Sequence, residues 1–215
     1  CPSVFRFPSL PLPSWVPVYP PRQAVLRPSA THAYSLRVME DSSMQDLWVF
    51  GYGSLMWRPG FEHEERHSAL LRGYHRAFCV YSHVHRGTPE KPGLVFGLDA
   101  GGSCRGVAFR VAASRAEETK RYLQAREQVT LVYRDVVKSV ELVETRRRID
   151  ALCFVVDRAH EQYAGRLDFD EQVRLIAEGE GRSGRNPDYL ESTVRHLDEA
   201  GLSDEGLSRL WRAVE

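Results

Sequence analysis

Apolar positions along the chain follow two periods, and these predict strands and helices in separate groups. Trp48, Val49 and Phe50 form a continuous run of β-favouring residues that breaks at Gly51 and Gly53, which reads as a buried strand feeding a glycine-bracketed loop. Over 68–80 and 94–111, aromatic or β-branched residues alternate with polar ones. The alternation is interrupted at Gly97, Gly101, Gly102 and Gly106, predicting several short strands joined by turns. The period then changes. Ser114-x-x-Glu117 has the form of a capping box and opens a helix whose inner stripe runs through Ala116, Thr119, Leu123 and Glu127. Two more strands are expected over 133–143 and 147–156, the second buried because 151–156 is an unbroken apolar run. The end of the chain is helical. Asp168-x-x-Glu171 caps one helix, Asn186-Pro187 is the N-cap and first turn of a second that closes at Gly201, and Ser203 starts a last short one. Strands set around one helix, with helices collected at the end, give an α+β fold.

Composition changes this picture at the N-terminus. The first 38 residues hold eight of the 12 prolines, four arginines and no acidic residue, so they lack both periodicity and ladder-forming capacity. We expect residues 1–44 to be a proline-rich, disordered extension outside the working domain, which is assigned to 45–215. Pro11-Leu12-Pro13 and Pro20-Pro21 also suit a polyproline ligand or targeting segment. With those four arginines set apart, 25 of the 29 Lys and Arg face 29 Asp and Glu, a mildly acidic balance. Such a domain lacks the basic stripe that a phosphate backbone demands, so no nucleic-acid partner is expected. No apolar run approaches a membrane span, and Cys1, Cys79, Cys104 and Cys153 show no paired spacing. The expectation is a cytoplasmic protein with free, buried thiols at the last three.

Four groups of residues are candidates for chemistry. In Gly51-Tyr52-Gly53-Ser54-Leu55 the two glycines free the backbone, so that successive amides can face one anion or carbonyl oxygen with the Ser54 hydroxyl beside them; a plain strand-to-loop turn fits equally well. His63-Glu64-Glu65-Arg66-His67 fits the H-E-x-x-H zinc pattern. That pattern needs a long amphipathic helix, whereas Pro59-Gly60 precedes it and strand-like sequence follows, so a solvated turn is expected. His83 and His85 lack a third ligand nearby and read as polar loop residues. Glu127 occupies a position where the helical pattern calls for an apolar side chain. Desolvation and the negative end of the helix dipole would both raise its pKa, as suits a base working near neutral pH. Pairing with Arg121 or Arg126 is the other reading, and the residues alone leave both open.

An ordered series of short motifs bears on that choice. Trp48-Val49-Phe50-Gly51-Tyr52-Gly53-Ser54-Leu55 with Trp57-Arg58-Pro59-Gly60-Phe61, then Gly73-Tyr74-His75-Arg76-Ala77-Phe78, Arg86-Gly87-Thr88-Pro89, Pro92-Gly93-Leu94 and Gly102 to Ala108 run in sequence. Tyr122-Leu123 to Arg126-Glu127, Ser183-Gly184-Arg185-Asn186 and Tyr189-Leu190 complete the series, which resembles the ChaC-like γ-glutamylcyclotransferases from about Trp48 onward. The resemblance implies a small closed mixed β-barrel with helices packed outside. It also implies cleavage of glutathione into 5-oxoproline and cysteinylglycine, with no metal or organic cofactor. It assigns the catalytic base to Glu127, substrate binding to the Gly51, Tyr52, Gly53, Ser54 and Leu55 loop, and a pocket position to Tyr133. The segment carrying Arg182 and Arg185 lies near the active site in relatives, so both are expected as contacts for a substrate carboxylate. Glu118 also matches a glutamate of note in relatives, but nine residues at 100° each set it on the helix face opposite Glu127. Gln128 to Val132 replaces the glycine usual in relatives. A zinc hydrolase using His63 and His67, or a non-catalytic binding protein on the same scaffold, are the alternatives.

Overall fold

The computed structural model describes residues 45–215, so the predicted extension lies outside the described residues. Its centre is a closed barrel of β1 (Leu47–Gly51), β2 (Glu65–Ser82), β3 (Gly93–Val111), β4 (Tyr133–Leu142) and β5 (Arg148–Val156), with neighbours in the order β1-β3-β2-β4-β5. All pairs are antiparallel except β1 with β5, where Trp48 faces Ala151 and Val49 faces Leu152. The mixed barrel with outer helices is therefore present as expected.

β1 is apolar without alternation because both of its faces are covered. Phe50 and Tyr52 join Leu71, Phe96, Leu98 and Val155 in the main core, while Val49 packs with Leu55, Val111, Leu123, Leu152 and Phe154. Leu123 belongs to α1 (Ala116–Glu127), whose inner stripe Ala116, Thr119 and Leu123 is buried. Leu123 is fully buried, and truncating such a side chain to alanine costs about 2–5 kcal/mol. This contact seats α1 over β1 and β5 and carries its last residue to the loop that follows β1.

Expectations for the β2–β3 region and the start of α1 are corrected. The glycine-broken stretches are not several short strands but one long hairpin of β2 and β3. Gly73 lies opposite Gly101 and Gly102, with φ of +84°, +105° and +68°, so the extra residue becomes a bulge that bends a continuous ladder. The Ser114 capping box does not form either. Ala113–Arg115 is a 3₁₀ turn leading into α1, and no side chain caps the helix. Ser114 lies inside that tight turn and Arg115 takes the N-cap position, so Ser114 and Glu117 do not have the geometry that the reciprocal bonds require.

Helices α2 (Phe169–Glu178), α3 (Asn186–Glu199) and α4 (Glu205–Val214) pack together beside the barrel. Asp168 caps α2 by accepting from the Glu171 amide at 2.8 Å, as its spacing predicts. Gly201, at φ +66°, closes α3 through Leu202 N–H to Leu197 O and Gly201 N–H to Asp198 O, a Schellman arrangement. Asp204, one residue beyond the expected Ser203, caps α4. Asn186 is not an N-cap. Its fully buried amide accepts from Leu94 N–H at 2.6 Å and donates to Leu94 O at 2.9 Å, fastening the start of α3 to β3. One turn on, this places Tyr189 against Phe96 and Phe78.

Candidate active site

The chain leaves β1 at Gly51 and folds at once into a one-turn 3₁₀ helix, Ser54–Met56. A Cβ at Gly51 would stand 3.1 Å from that of Leu55, so glycine here allows the turn to fold back onto the strand. Gly53 differs from expectation. Its φ is −132°, and a Cβ there would meet only Phe96, at 4.0 Å, so the residue keeps space open instead of supplying a left-handed angle. Gly53 O accepts from Met56 N–H and Ser54 O from Arg58 N–H, both at 2.8 Å. The amides of Gly53, Ser54 and Leu55 have no acceptor among the described residues. Three adjacent donors are thus left for a ligand.

Those residues line a small pocket of about 60 Å³ together with Tyr52, Phe96, Glu127, Tyr133 and Tyr189. A larger hollow of about 200 Å³, behind Met56 and Trp57, collects Arg66, His196 and Glu199. Arg66 and Glu199 there are exposed and His196 is bonded to the Ser192 carbonyl, so the smaller pocket is the one with desolvated chemistry. Glu127 ends α1 with its side chain 19% exposed, among aromatic walls. Burial raises its pKa above the ordinary glutamate value, opposed by the charge and hydrogen bond of Arg126. Burial likewise lifts Tyr52 and Tyr133 well above the usual phenol range and Tyr189 to about 12, so all three remain neutral hydroxyls. Tyr133 donates its proton to Phe96 O at 2.5 Å.

Arg126 organises the site. Its Nε lies 3.1 Å from Glu127 Oε1, and Nη2 donates to Ser54 Oγ at 3.0 Å. Nη1 donates to the carbonyls of Arg58 and Pro59 at 2.7 and 3.1 Å and to the Tyr122 hydroxyl at 3.2 Å. One guanidinium therefore joins the carboxylate to the loop. Arg76 holds the loop from the other end, donating to Tyr52 O at 2.6 Å and to Arg105 O at 2.8 Å.

Of the residues singled out in the sequence, Tyr52, Gly53, Ser54, Leu55, Glu127 and Tyr133 come together at the pocket. Gly51 is buried at the end of β1 and does not line it. Arg182 and Arg185 also lie off the lining, on the small hairpin of β6 (Glu180–Gly181) and β7 (Gly184–Arg185). That hairpin is tied to the loop after β2 by Arg182 N–H to Val84 O and Ser183 N–H to His85 O. Glu118 is exposed, on the face opposite Glu127. Phe96 and Tyr189 are pocket residues that sequence reading did not find. Phe96 is a strand residue among similar ones, and only the Asn186 clamp brings Tyr189 beside it.

The zinc reading fails on geometry. From Glu65 onward the motif is strand, where four residues span about 13 Å, so His63 and His67 cannot converge as they would on a helix. His67 pairs instead with Glu65 at 2.9 Å, and His63 packs edge-on to Phe109. His85 bonds the Ser183 hydroxyl at 3.0 Å. Cys79, Cys104 and Cys153 are free and buried, as expected, and no described helix is long and apolar enough to cross a membrane.

Comparison with known proteins decides the family. The profile of the ChaC-like proteins matches residues 47–215. The chain belongs to the ChaC-like family. The glutathione-specific gamma-glutamylcyclotransferase of Escherichia coli K12 is 36% identical over 169 residues, covering 79% of this chain and 73% of that protein. The human glutathione-specific gamma-glutamylcyclotransferase 1 is 32% identical over 181 residues, covering 81% of each. Among solved structures, a yeast gamma-glutamylcyclotransferase specific to glutathione superposes with a TM-score of 0.71 at 24% identity, over 79% of this chain and 95% of that one, which establishes the shared barrel.

Proposed function

We propose that this ChaC-like protein is a γ-glutamylcyclotransferase that cleaves glutathione to 5-oxoproline and cysteinylglycine. The observation that carries the reading is one aromatic pocket lined by a partly buried carboxylate and by three adjacent residues whose amides have no acceptor among the described residues. The names of its relatives point to the same substrate.

The chemistry follows from that pair. The substrate's α-amine arrives as an ammonium and gives a proton to Glu127, whose raised pKa makes it a stronger base than an exposed glutamate. The freed amine attacks the γ-carbonyl carbon and closes a five-membered ring, an intramolecular step that gains effective molarity from a folded substrate. Negative charge develops on the carbonyl oxygen, where the Gly53, Ser54 and Leu55 amides donate to it. Collapse breaks the amide C–N bond as Glu127 hands its proton to the departing nitrogen; the freed carboxylate then takes the second proton of the ring nitrogen and passes it on, so that 5-oxoproline keeps one N–H and cysteinylglycine leaves as its ammonium. Atoms and charge balance without an oxidant, reductant or second substrate. Tyr52, Tyr133, Phe96 and Tyr189 exclude water, so attack by the amine outruns hydrolysis. We place the reaction in the cytoplasm, where the three free thiols would stay reduced.

The test is one incubation. Purified protein with glutathione and excess chelator should release 5-oxoproline and cysteinylglycine in equal amounts. Free glutamate, or activity abolished by the chelator, would refute the cyclisation. Failure to turn over any γ-glutamyl compound would leave the scaffold as a binding protein.

A further inference from the structure

The pocket admits only one end of a tripeptide, since about 60 Å³ falls well below the roughly 300 Å³ at which sites begin to enclose a whole small ligand. The remainder must lie over the rim, and the rim carries charge. Arg86, in the loop after β2, lays its guanidinium on the Tyr189 ring, with its carbon 5.4 Å from the centroid. Its Nη1 donates to Arg185 O at 3.0 Å, the one side-chain hydrogen bond it makes among the described residues, and four of its five N–H donors remain. Neither Arg86 nor Arg58 forms a salt bridge among the described residues. Asp188 lies near enough for its charge to act on Arg86 without pairing. Burial weakens the hold of Arg86 on its proton, and the charge of Arg58 adds to that effect. Arg76, near Phe96, has committed its Nε and Nη2 to carbonyls. Arg86 is thus a half-buried cation beside the pocket, stacked on one of its walls, with donors to spare.

We propose that Arg86, seconded by Arg58, is a specificity-determining residue that takes the C-terminal carboxylate of the substrate peptide, so that the site selects γ-glutamyl peptides ending in a free carboxylate. This rests on the proposed cyclisation. The two residues that leave as cysteinylglycine span about 7 Å when extended, and the Arg86 guanidinium carbon stands 5.4 Å from the ring of Tyr189, a wall of the pocket. The hairpin carrying Arg182 and Arg185 then acts through its backbone, because the Arg185 carbonyl seats the Arg86 fork. A guanidinium meeting a carboxylate through two parallel bonds gives both energy and direction.

The test compares glutathione with its glycine carboxamide, identical except for the terminal charge, by kcat and KM. The parent protein should favour glutathione roughly tenfold to a hundredfold, the range for hydrogen bonds to charged groups, with the difference mainly in KM. Arg86→Gln should bring that ratio close to one, and Arg86→Lys, which keeps charge without the fork, should fall between. In the parent protein, added salt should raise KM for glutathione more than for the carboxamide, a readout that holds even if a variant fails to fold. Equal use of both substrates by the parent, or a ratio unchanged in Arg86→Gln, overturns the assignment. An equal loss for both substrates would show that Arg86 only holds the hairpin. If the parent releases 5-oxoproline from neither substrate, the cyclisation itself is wrong, an outcome distinct from equal turnover.

Discussion

Removing the Arg126 guanidinium separates two effects that the parent protein combines. Arg126→Gln breaks the link between the end of α1 and the glycine loop, which consists of bonds to Ser54 Oγ, Arg58 O and Pro59 O. Glutamine can remake one of these bonds at most. With the Arg126 side chain only 20% exposed, the net cost is roughly 2–3 kcal/mol of stability, the range for losing a charged hydrogen-bonding group. A loop displaced by even 1 Å can cost about a hundredfold in kcat, so a fall of that order at neutral pH is expected. The electrostatic effect has a definite sign. Burial raises the Glu127 pKa and Arg126 opposes it, so without Arg126 the pKa moves higher still. The proposed base works ionised, so kcat should rise with pH through this pKa, and the acidic limb of the profile should shift to higher pH. Raising the pH should therefore restore part of the lost rate. Arg126→Lys keeps a charge beside Glu127 but not the fork, and should lower kcat while leaving the limb near its parental position. The assay is 5-oxoproline release across a pH series for the three proteins. A limb that stays put or moves to lower pH in Arg126→Gln would refute this coupling.

Other expectations follow from the same geometry. Glu127→Gln should fold and lose about a hundredfold or more in kcat, and turnover near the parental value would remove Glu127 from the mechanism. Because its folded-state pKa is raised, ionising Glu127 costs stability as pH rises from the unfolded carboxylate value through the folded one. Melting curves should accordingly show the glutamine variant gaining on the parent as pH increases, with no gain in acid. Gly53→Val should raise KM sharply by pushing a side chain toward Phe96, and unchanged KM would make the loop purely structural. A chain starting at Met44 should keep full activity and its melting temperature, since the barrel and pocket lie within 45–215; a large drop in either would show that the extension matters.

What could be read in the sequence was what short segments decide for themselves. The apolar run at Trp48, the Asp168 cap, the Gly201 closure and the inward place of Glu127 depend on neighbours within one strand or helix turn. The hairpin of β2 and β3 was misread because a glycine cluster signals a turn or a bulge alike. Only the partner strand shows that Gly73 meets Gly101 and Gly102. Ser114 and Asn186 have cap chemistry, but tertiary partners override it: Asn186 finds the Leu94 backbone 92 positions away. Arg182 and Arg185 are expected as contacts because the resemblance places their segment near the active site; in the structure they lie off the pocket lining, and the Arg185 carbonyl accepts from Arg86. Arg126 was visible as a partner of Glu127. Its bonds to Ser54, Arg58 and Pro59 were not, because they cross about 70 positions of chain.

The pocket and its rim hold several groups in unfavourable states, and their arrangement suits the proposed substrate. Among the described residues, a carboxylate is partly desolvated among tyrosines, three amides lack acceptors, and the half-buried Arg86 forms no salt bridge. Each arrangement costs the free protein stability, because desolvated charges and unpaired donors are retained only at an energetic loss. In the proposed reaction a γ-glutamyl peptide brings an ammonium for Glu127, a polarised carbonyl for the amides and a terminal carboxylate for Arg86. Only the first two of these change in the reaction. The ammonium must lose its proton and the carbonyl oxygen must gain charge, so interactions with Glu127 and the amides strengthen toward the transition state and act on kcat. The carboxylate keeps its charge throughout, so its contact with Arg86 binds ground and transition states alike and acts on KM. Variants at Glu127 and Arg86 should therefore differ in kind, one losing rate and the other affinity, even where their losses in kcat/KM are equal.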